Sequence, residues 1–177
     1  MVKRLRGLSL MLSLAALGVA FVLSGCSTKS STSPQASGLD GLTTLNRAIG
    51  EPVLEATKVF EPEVTDSISI VKNTYCHKFR VPAKALDAAT AINMKTFKAL
   101  ANGKNVIVFE FGPEGLVFRA PTNLDIDMNE INPLAKSANL YYFDPLADSW
   151  IYQGSVSVAN GRASFKIYHF SKYAIDE

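Results

Sequence analysis

Cysteine and histidine are scarce. Two of each stand among 177 residues: Cys26 and Cys76, His77 and His169. That is too few for a disulfide framework or for a zinc site built from paired ligands. There is no Gly-x-Ser-x-Gly elbow, and neither histidine sits in a motif tying it to a nucleophile and an acid, so a general hydrolase is not expected. An excess of one charge is also missing. Lys and Arg number 18 against 16 Asp and Glu, and three of the basic residues, Lys3, Arg4 and Arg6, precede residue 26 with no acidic residue among them. The remaining chain carries 15 basic against 16 acidic residues, without the basic footprint of a nucleic-acid binder. Long apolar runs are absent too. The longest, Leu8 to Leu23, has 16 residues and is interrupted by Ser9, Ser13 and Gly18, short of the roughly 20 needed to span a bilayer.

What the N-terminus does have is the layout of an export signal: a basic stretch, an apolar run, then small residues. Leu23-Ser24-Gly25-Cys26 resembles the bacterial lipobox, which implies cleavage before the cysteine and acylation of Cys26. The weighed alternatives are an ordinary signal peptide cut nearby and an uncleaved anchor. With Cys26 given to lipid, Cys76 stands alone and the fold rests on its core. The expected organisation is a signal peptide over 1–25, a lipid-anchored Cys26 with a flexible linker over 26–55, and one domain over 56–177. The expected partner is a membrane, through the acyl chains. Ser27 rather than Asp follows the cysteine, which favours the outer membrane of a diderm cell; in a monoderm cell the address is the outer leaflet of the cytoplasmic membrane.

From Ser27 to Gly38 the chain is Ser, Thr, Pro, Gln, Lys, Ala and Gly only, a composition that cannot bury enough apolar surface to order itself. Leu42, Leu45 and Ile49 are then spaced at helical separations, bounded by Gly41 and Gly50. Beyond Glu61 the helical period disappears and short strands separated by turn residues predict an all-β fold, an antiparallel β-sandwich of about nine strands. Tyr75, His77, Phe79 and Val81 alternate with Cys76, Lys78 and Arg80. Val106 to Phe111 is apolar on both faces and should be central. Leu124, Ile126 and Met128 point inward. Pro145 to Asp148 reads as a four-residue hairpin connection, and Asn160-Gly161 as a type I′ turn. Tyr168 to Ile175 reads as the end of one last strand.

Several pieces resemble the ZU-five domain, the β-sandwich module of the zonula occludens scaffold protein, netrin receptors and ankyrins. They are Val81-Pro82-Ala83-Lys84-Ala85-Leu86; Phe111-Gly112-Pro113-Glu114-Gly115-Leu116-Val117-Phe118-Arg119-Ala120-Pro121; Tyr141-Tyr142-Phe143-Asp144 before Trp150; and His169-Phe170-Ser171-Lys172-Tyr173-Ala174. They run from about Val64 to Ile175 in the family's order. Two departures stand out. Lys84 occupies a position where the family usually has glycine, and the glycine pair of the preceding hairpin is missing around Lys72 and Asn73. The resemblance implies a protein-interaction or cell-envelope structural module that uses no cofactor.

It also implies a specific chemistry to weigh. Some relatives cut their own Phe-Ser bond in a His-Phe-Ser stretch, and His169-Phe170-Ser171 matches residue for residue. There the Ser171 hydroxyl would attack the preceding carbonyl with His169 as base, and water would hydrolyse the ester. Against this stands a last strand with Phe170 in the core, which is the expectation adopted: no enzyme. Cys76 and His77, as neighbours on a strand, point to opposite faces and do not form a metal pair. Asp125, Asp127 and Glu130 carry calcium-type ligands but lack a dedicated loop's rhythm, and read as the solvated face of a strand. Tyr141, Tyr152 and Tyr173 are candidates for a carbohydrate or protein contact patch, with a secreted carbohydrate-binding module as the other alternative function.

Overall fold

The computed structural model describes Leu39 and residues 54–177. The expected signal peptide, Cys26 and the linker residues other than Leu39 lie outside the described residues. Ten strands follow in order: β1 (Leu54–Phe60), β2 (Asp66–Lys72), β3 (Tyr75–Val81), β4 (Thr90–Ala101), β5 (Lys104–Gly112), β6 (Val117–Asp127), β7 (Ser137–Asp144), β8 (Ser149–Ser157), β9 (Arg162–His169) and β10 (Lys172–Asp176). A 3₁₀ turn, Met128–Glu130, is the one helical element among the described residues. The strands form a six-stranded sheet, β1-β4-β5-β10-β7-β8, and a four-stranded sheet, β2-β3-β6-β9. Every pairing is antiparallel. The β-sandwich expected from the alternation is the fold, with one strand more than the nine counted.

Burial follows from period-2 geometry. Ile68 and Ile70 of β2, Phe79 and Val81 of β3, Leu124 and Ile126 of β6, and Phe165 and Ile167 of β9 face Ile92, Met94, Ile107, Phe109, Phe111 and Ile175 of the larger sheet in one core. β5 is interior, as its run of β-branched and aromatic residues predicts. The middle of the core is aromatic: Phe170 stacks on Phe111 at 4.9 Å and 12°, and meets Phe118 edge-on at 5.0 Å and Phe79 at 5.5 Å. Offset and edge-on rings add to plain area burial because ring quadrupoles then attract.

Pro121 lies inside β6, where the pairing with β9 shifts register between Val117 and Thr122; a bulge is where proline is tolerated in a ladder. Two readings of the chain are corrected. β1 opens at Leu54, two residues ahead of the expected boundary at 56. Tyr168 to Ile175 is not one strand. β9 ends at His169, β10 begins at Lys172, and the two belong to different sheets.

The turns agree with their chemistry. Asn160 and Gly161 have φ of 53° and 73°, as a type I′ turn needs. Asn102-Gly103, at 51° and 78°, is the same dipeptide doing the same work between β4 and β5, and the sequence reading passed over it. Lys84 has a φ of 64°, in the left-handed region. An L-residue pays about 1 kcal/mol or more in that region, so Lys84→Gly is expected to raise the unfolding free energy by about 0.5–1 kcal/mol after glycine's larger unfolded-state entropy is counted. A shift of the urea midpoint to higher concentration checks it.

Candidate functional site

The His169-Phe170-Ser171 tripeptide is the corner at which the chain crosses from the four-stranded to the six-stranded sheet. The Phe170 N–H donates to the Leu116 carbonyl at 2.7 Å, and its ring enters the core. The Ser171 Oγ donates to the Phe143 carbonyl at 2.9 Å, and the Tyr173 hydroxyl donates to the His169 carbonyl at 2.6 Å. Burial, and after it the neighbouring Tyr142, pushes the Tyr173 phenol well above its ordinary pKa, so it stays a donor across the physiological range. His169 Nδ1 lies 3.5 Å from the Phe170 carbonyl oxygen, and its ring meets Tyr142 edge-on at 5.8 Å. The serine proton is thus directed at a backbone carbonyl rather than at the imidazole, an arrangement that pins the corner.

His169 also lines a cleft of about 350 Å³ where the free edges of β8 and β9 diverge; Leu140, Val156, Phe165, Tyr168 and Tyr173 complete its apolar wall. Open strand edges beside an apolar cleft are the usual means of receiving an extended peptide.

A second cluster joins polar side chains that the sequence left apart. His77 faces inward between the sheets, T-shaped against Phe109 at 5.3 Å. Its Nδ1 accepts the Asp127 N–H at 3.2 Å, which puts the ring proton on Nε2, 2.6 Å from the Glu130 carboxylate. Lys98 reaches the other Glu130 oxygen at 2.8 Å. Burial would push the Glu130 carboxyl up, but hydrogen bonds from Lys98 and His77, with the positive charge beside it, more than offset this and hold it below the usual glutamate range. Asp127 accepts from the Asn129 backbone and side-chain N–H groups at 3.2 and 2.9 Å and from the Cys76 N–H at 3.3 Å. Asp125 and Asp127 both stand on the outward side of β6, but Asp127 is buried there, 3.9 Å from Arg162 Nη2, and Glu130 is half-buried in the 3₁₀ turn and bound to His77 and Lys98, so the expectation of a solvated face fails for these two.

A depressed carboxyl stabilises the fold above its unfolded pKa of about 4.3 and ceases to do so as pH falls through the lower folded value. Glu130→Gln is therefore expected to cost on the order of 1–3 kcal/mol at neutral pH and to flatten the loss of stability below about pH 4.3. Urea titrations of both proteins at pH 7 and in the acid range measure this. Equal acid dependence in the two would remove Glu130 as its source.

The outer face of the four-stranded sheet holds a shallow groove of Cys76, Lys78, Arg80, Asp125, Arg162 and Ser164. Arg162 Nη1 donates to the Cys76 carbonyl at 3.2 Å. Cys76 is half-buried at this surface, and it points away from His77 as strand alternation requires. The three tyrosines do not meet in one patch. Tyr173 faces the core, while Tyr141 and Tyr152 pack at 5.4 Å on the outer side of the six-stranded sheet, Tyr152 alone of the three being exposed.

The pairing of His77 with Glu130 spans 53 residues and left no local trace in the sequence. What was visible was a histidine on an apolar strand face, which must find a partner when buried. No protein-family model and no curated protein matches the sequence.

Proposed function

We propose that the protein is a membrane-anchored extracytoplasmic lipoprotein whose β-sandwich serves as a protein-interaction or cell-envelope structural module. The observation that carries this reading is Leu23-Ser24-Gly25-Cys26, placed behind a basic stretch and a short apolar run and ahead of the polar Ser27–Gly38 segment. Each buried methylene of an acyl chain contributes roughly 0.8 kcal/mol, so two or three chains on one sulfur hold a protein on a bilayer almost permanently. The ZU-five likeness supports a module that binds another protein. The cleft between β8 and β9 and the Lys78, Arg80 and Arg162 groove are the surfaces such a partner would use. The His169-Phe170-Ser171 corner is read as structural, with the serine hydroxyl occupied by the Phe143 carbonyl.

Metabolic labelling with an alkyne analogue of palmitate tests the anchor. The wild-type chain is expected to carry the label, and Cys26→Ser to carry none and to accumulate as the longer precursor. A wild-type chain without label, or equal label in both, refutes the reading.

A further inference from the structure

The two outer faces of the sandwich differ in a way that their strands alone do not explain. On the four-stranded sheet the outward residues include Ser69, Val71, Arg80, Arg162 and Lys166, all exposed, as expected of a face open to water. On the six-stranded sheet the outward residues form a second apolar layer. Ala99 and Ala101 of β4, Val106 and Val108 of β5, Ala174 of β10, Tyr141 of β7 and Trp150 of β8 cluster there, with Phe97 and Phe143 beside them. Those seven are between 0 and 8% exposed. A bare sheet face cannot be shut off from water to that extent, so it is covered. Among the described residues one lies across it: Leu39, itself 5% exposed and packed in the same cluster. The indole Nε1 of Trp150 is sealed from solvent without a hydrogen-bond partner, a state that water would relieve if it reached the face.

We propose that this face is an intramolecular docking site and that its occupant is the segment 39–49 of the same chain. Leu39 is its first contact. Leu42, Leu45 and Ile49 follow at separations of three, three and four, the spacing that places apolar side chains along one side of a helix. The dimensions agree. Eleven helical residues span about 16 Å at 1.5 Å each, and the five strands from β4 to β8 span about 19 Å at 4.8 Å per step. The chain then needs only residues 50–53 to enter β1, which lies beside β4 at the end of this sheet.

The consequence concerns the tether. With residues 39–49 docked, the freely jointed part between Cys26 and the domain is Ser27–Gly38, 12 residues, with a root-mean-square reach of about 20 Å. On the lipoprotein reading, on which this consequence rests, a tether this short keeps the domain within about 20 Å of the bilayer surface. The docking itself does not require the lipid.

Trp150 is the only tryptophan and therefore reports on the cover directly. Acrylamide quenching and the emission maximum are measured on the full chain, on its Cys26→Ser form, and on each with Leu42→Asp plus Leu45→Asp. The expected result is strong shielding and blue-shifted emission in both parents, and a red shift with a several-fold rise in the quenching constant in the aspartate variants. Far-UV circular dichroism is expected to keep the β spectrum in those variants, because the main core between the sheets is untouched; Thr44→Asp, on the side opposite the apolar stripe, leaves the shielding as it was. Unchanged shielding in the folded aspartate variants overturns the proposal. Shielding lost on dilution also overturns it, since a second copy would then be the occupant. Shielding present with acylated Cys26 but absent in Cys26→Ser overturns it in favour of lipid. A missing acyl group with intact shielding refutes only the anchor.

Discussion

Phe170→Ala is expected to destabilise the domain by about 3–5 kcal/mol, the range for removing a fully buried large aromatic side chain. Phe170 is 2% exposed and touches rings on three other strands or their connections, Phe79, Phe111 and Phe118. These belong to both sheets, so the cavity opens where the two layers are joined and neither can collapse into it without shifting against the other. Net stabilities of about 5–15 kcal/mol make this a large share of the total. Ser171→Ala, one residue on, removes a single hydrogen bond and is expected to cost about 0.5–1.5 kcal/mol. Urea unfolding of the two variants in parallel measures the contrast. Comparable losses would mean that the corner is held by the serine, as a strained site would be, and not by the phenylalanine.

A chain ended after Ser171 is expected not to fold. The six residues removed hold β10, which lies between β5 and β7 and pairs with both. Tyr173, Ala174 and Ile175 are all buried, and burying a large apolar side chain contributes about 1.5–3 kcal/mol. Losing two of these, the ladder bonds on both sides and the Tyr173 bond to the His169 carbonyl would leave two unpaired interior edges in the sheet. The sum is comparable with the whole margin of a typical domain, about 5–15 kcal/mol. Such edges also favour aggregation, so the expected outcome is an insoluble product. A soluble truncated chain with the parent's β spectrum would show that the sheet closes without its C-terminal strand. Adding the free heptapeptide from Ser171 onward to a chain ended at Phe170 extends the test: recovery of solubility would mean that the connection at the corner is dispensable once the strand is in place.

Much of the sandwich was legible because its strands alternate cleanly and its turns use residues suited to positive φ. β3 and β6 show one apolar and one polar face, and β5 shows two apolar faces because it is interior on one side and covered on the other. β1 was missed since its inward positions are Leu54, Ala56, Lys58 and Phe60 while Val59 points outward and is exposed; the lysine is drawn to Asp66 at 2.7 Å, and the alternation is blurred. The crossing at Phe170 was missed because it is made without glycine or proline, in a stretch apolar enough to continue as a strand. Of the candidate sites, the opposite orientation of Cys76 and His77 followed from strand geometry. The His77, Glu130 and Lys98 cluster did not, because it depends on the 3₁₀ turn folding back over the end of the core, which no local pattern announces. The two outward faces were likewise indistinguishable until the burial of Val106, Val108 and Trp150 separated them.

Where the protein resides decides what its surfaces can meet, and fractionation of the cell envelope tests that most directly. Wild-type protein is expected to remain with membranes at its mature mass through high-salt and alkaline washes and to be released only by detergent, while Cys26→Ser is recovered as the longer, unacylated precursor. Wild-type protein released by salt alone, or a Cys26→Ser chain that matures to the same mass and stays with the membrane as before, would contradict the account.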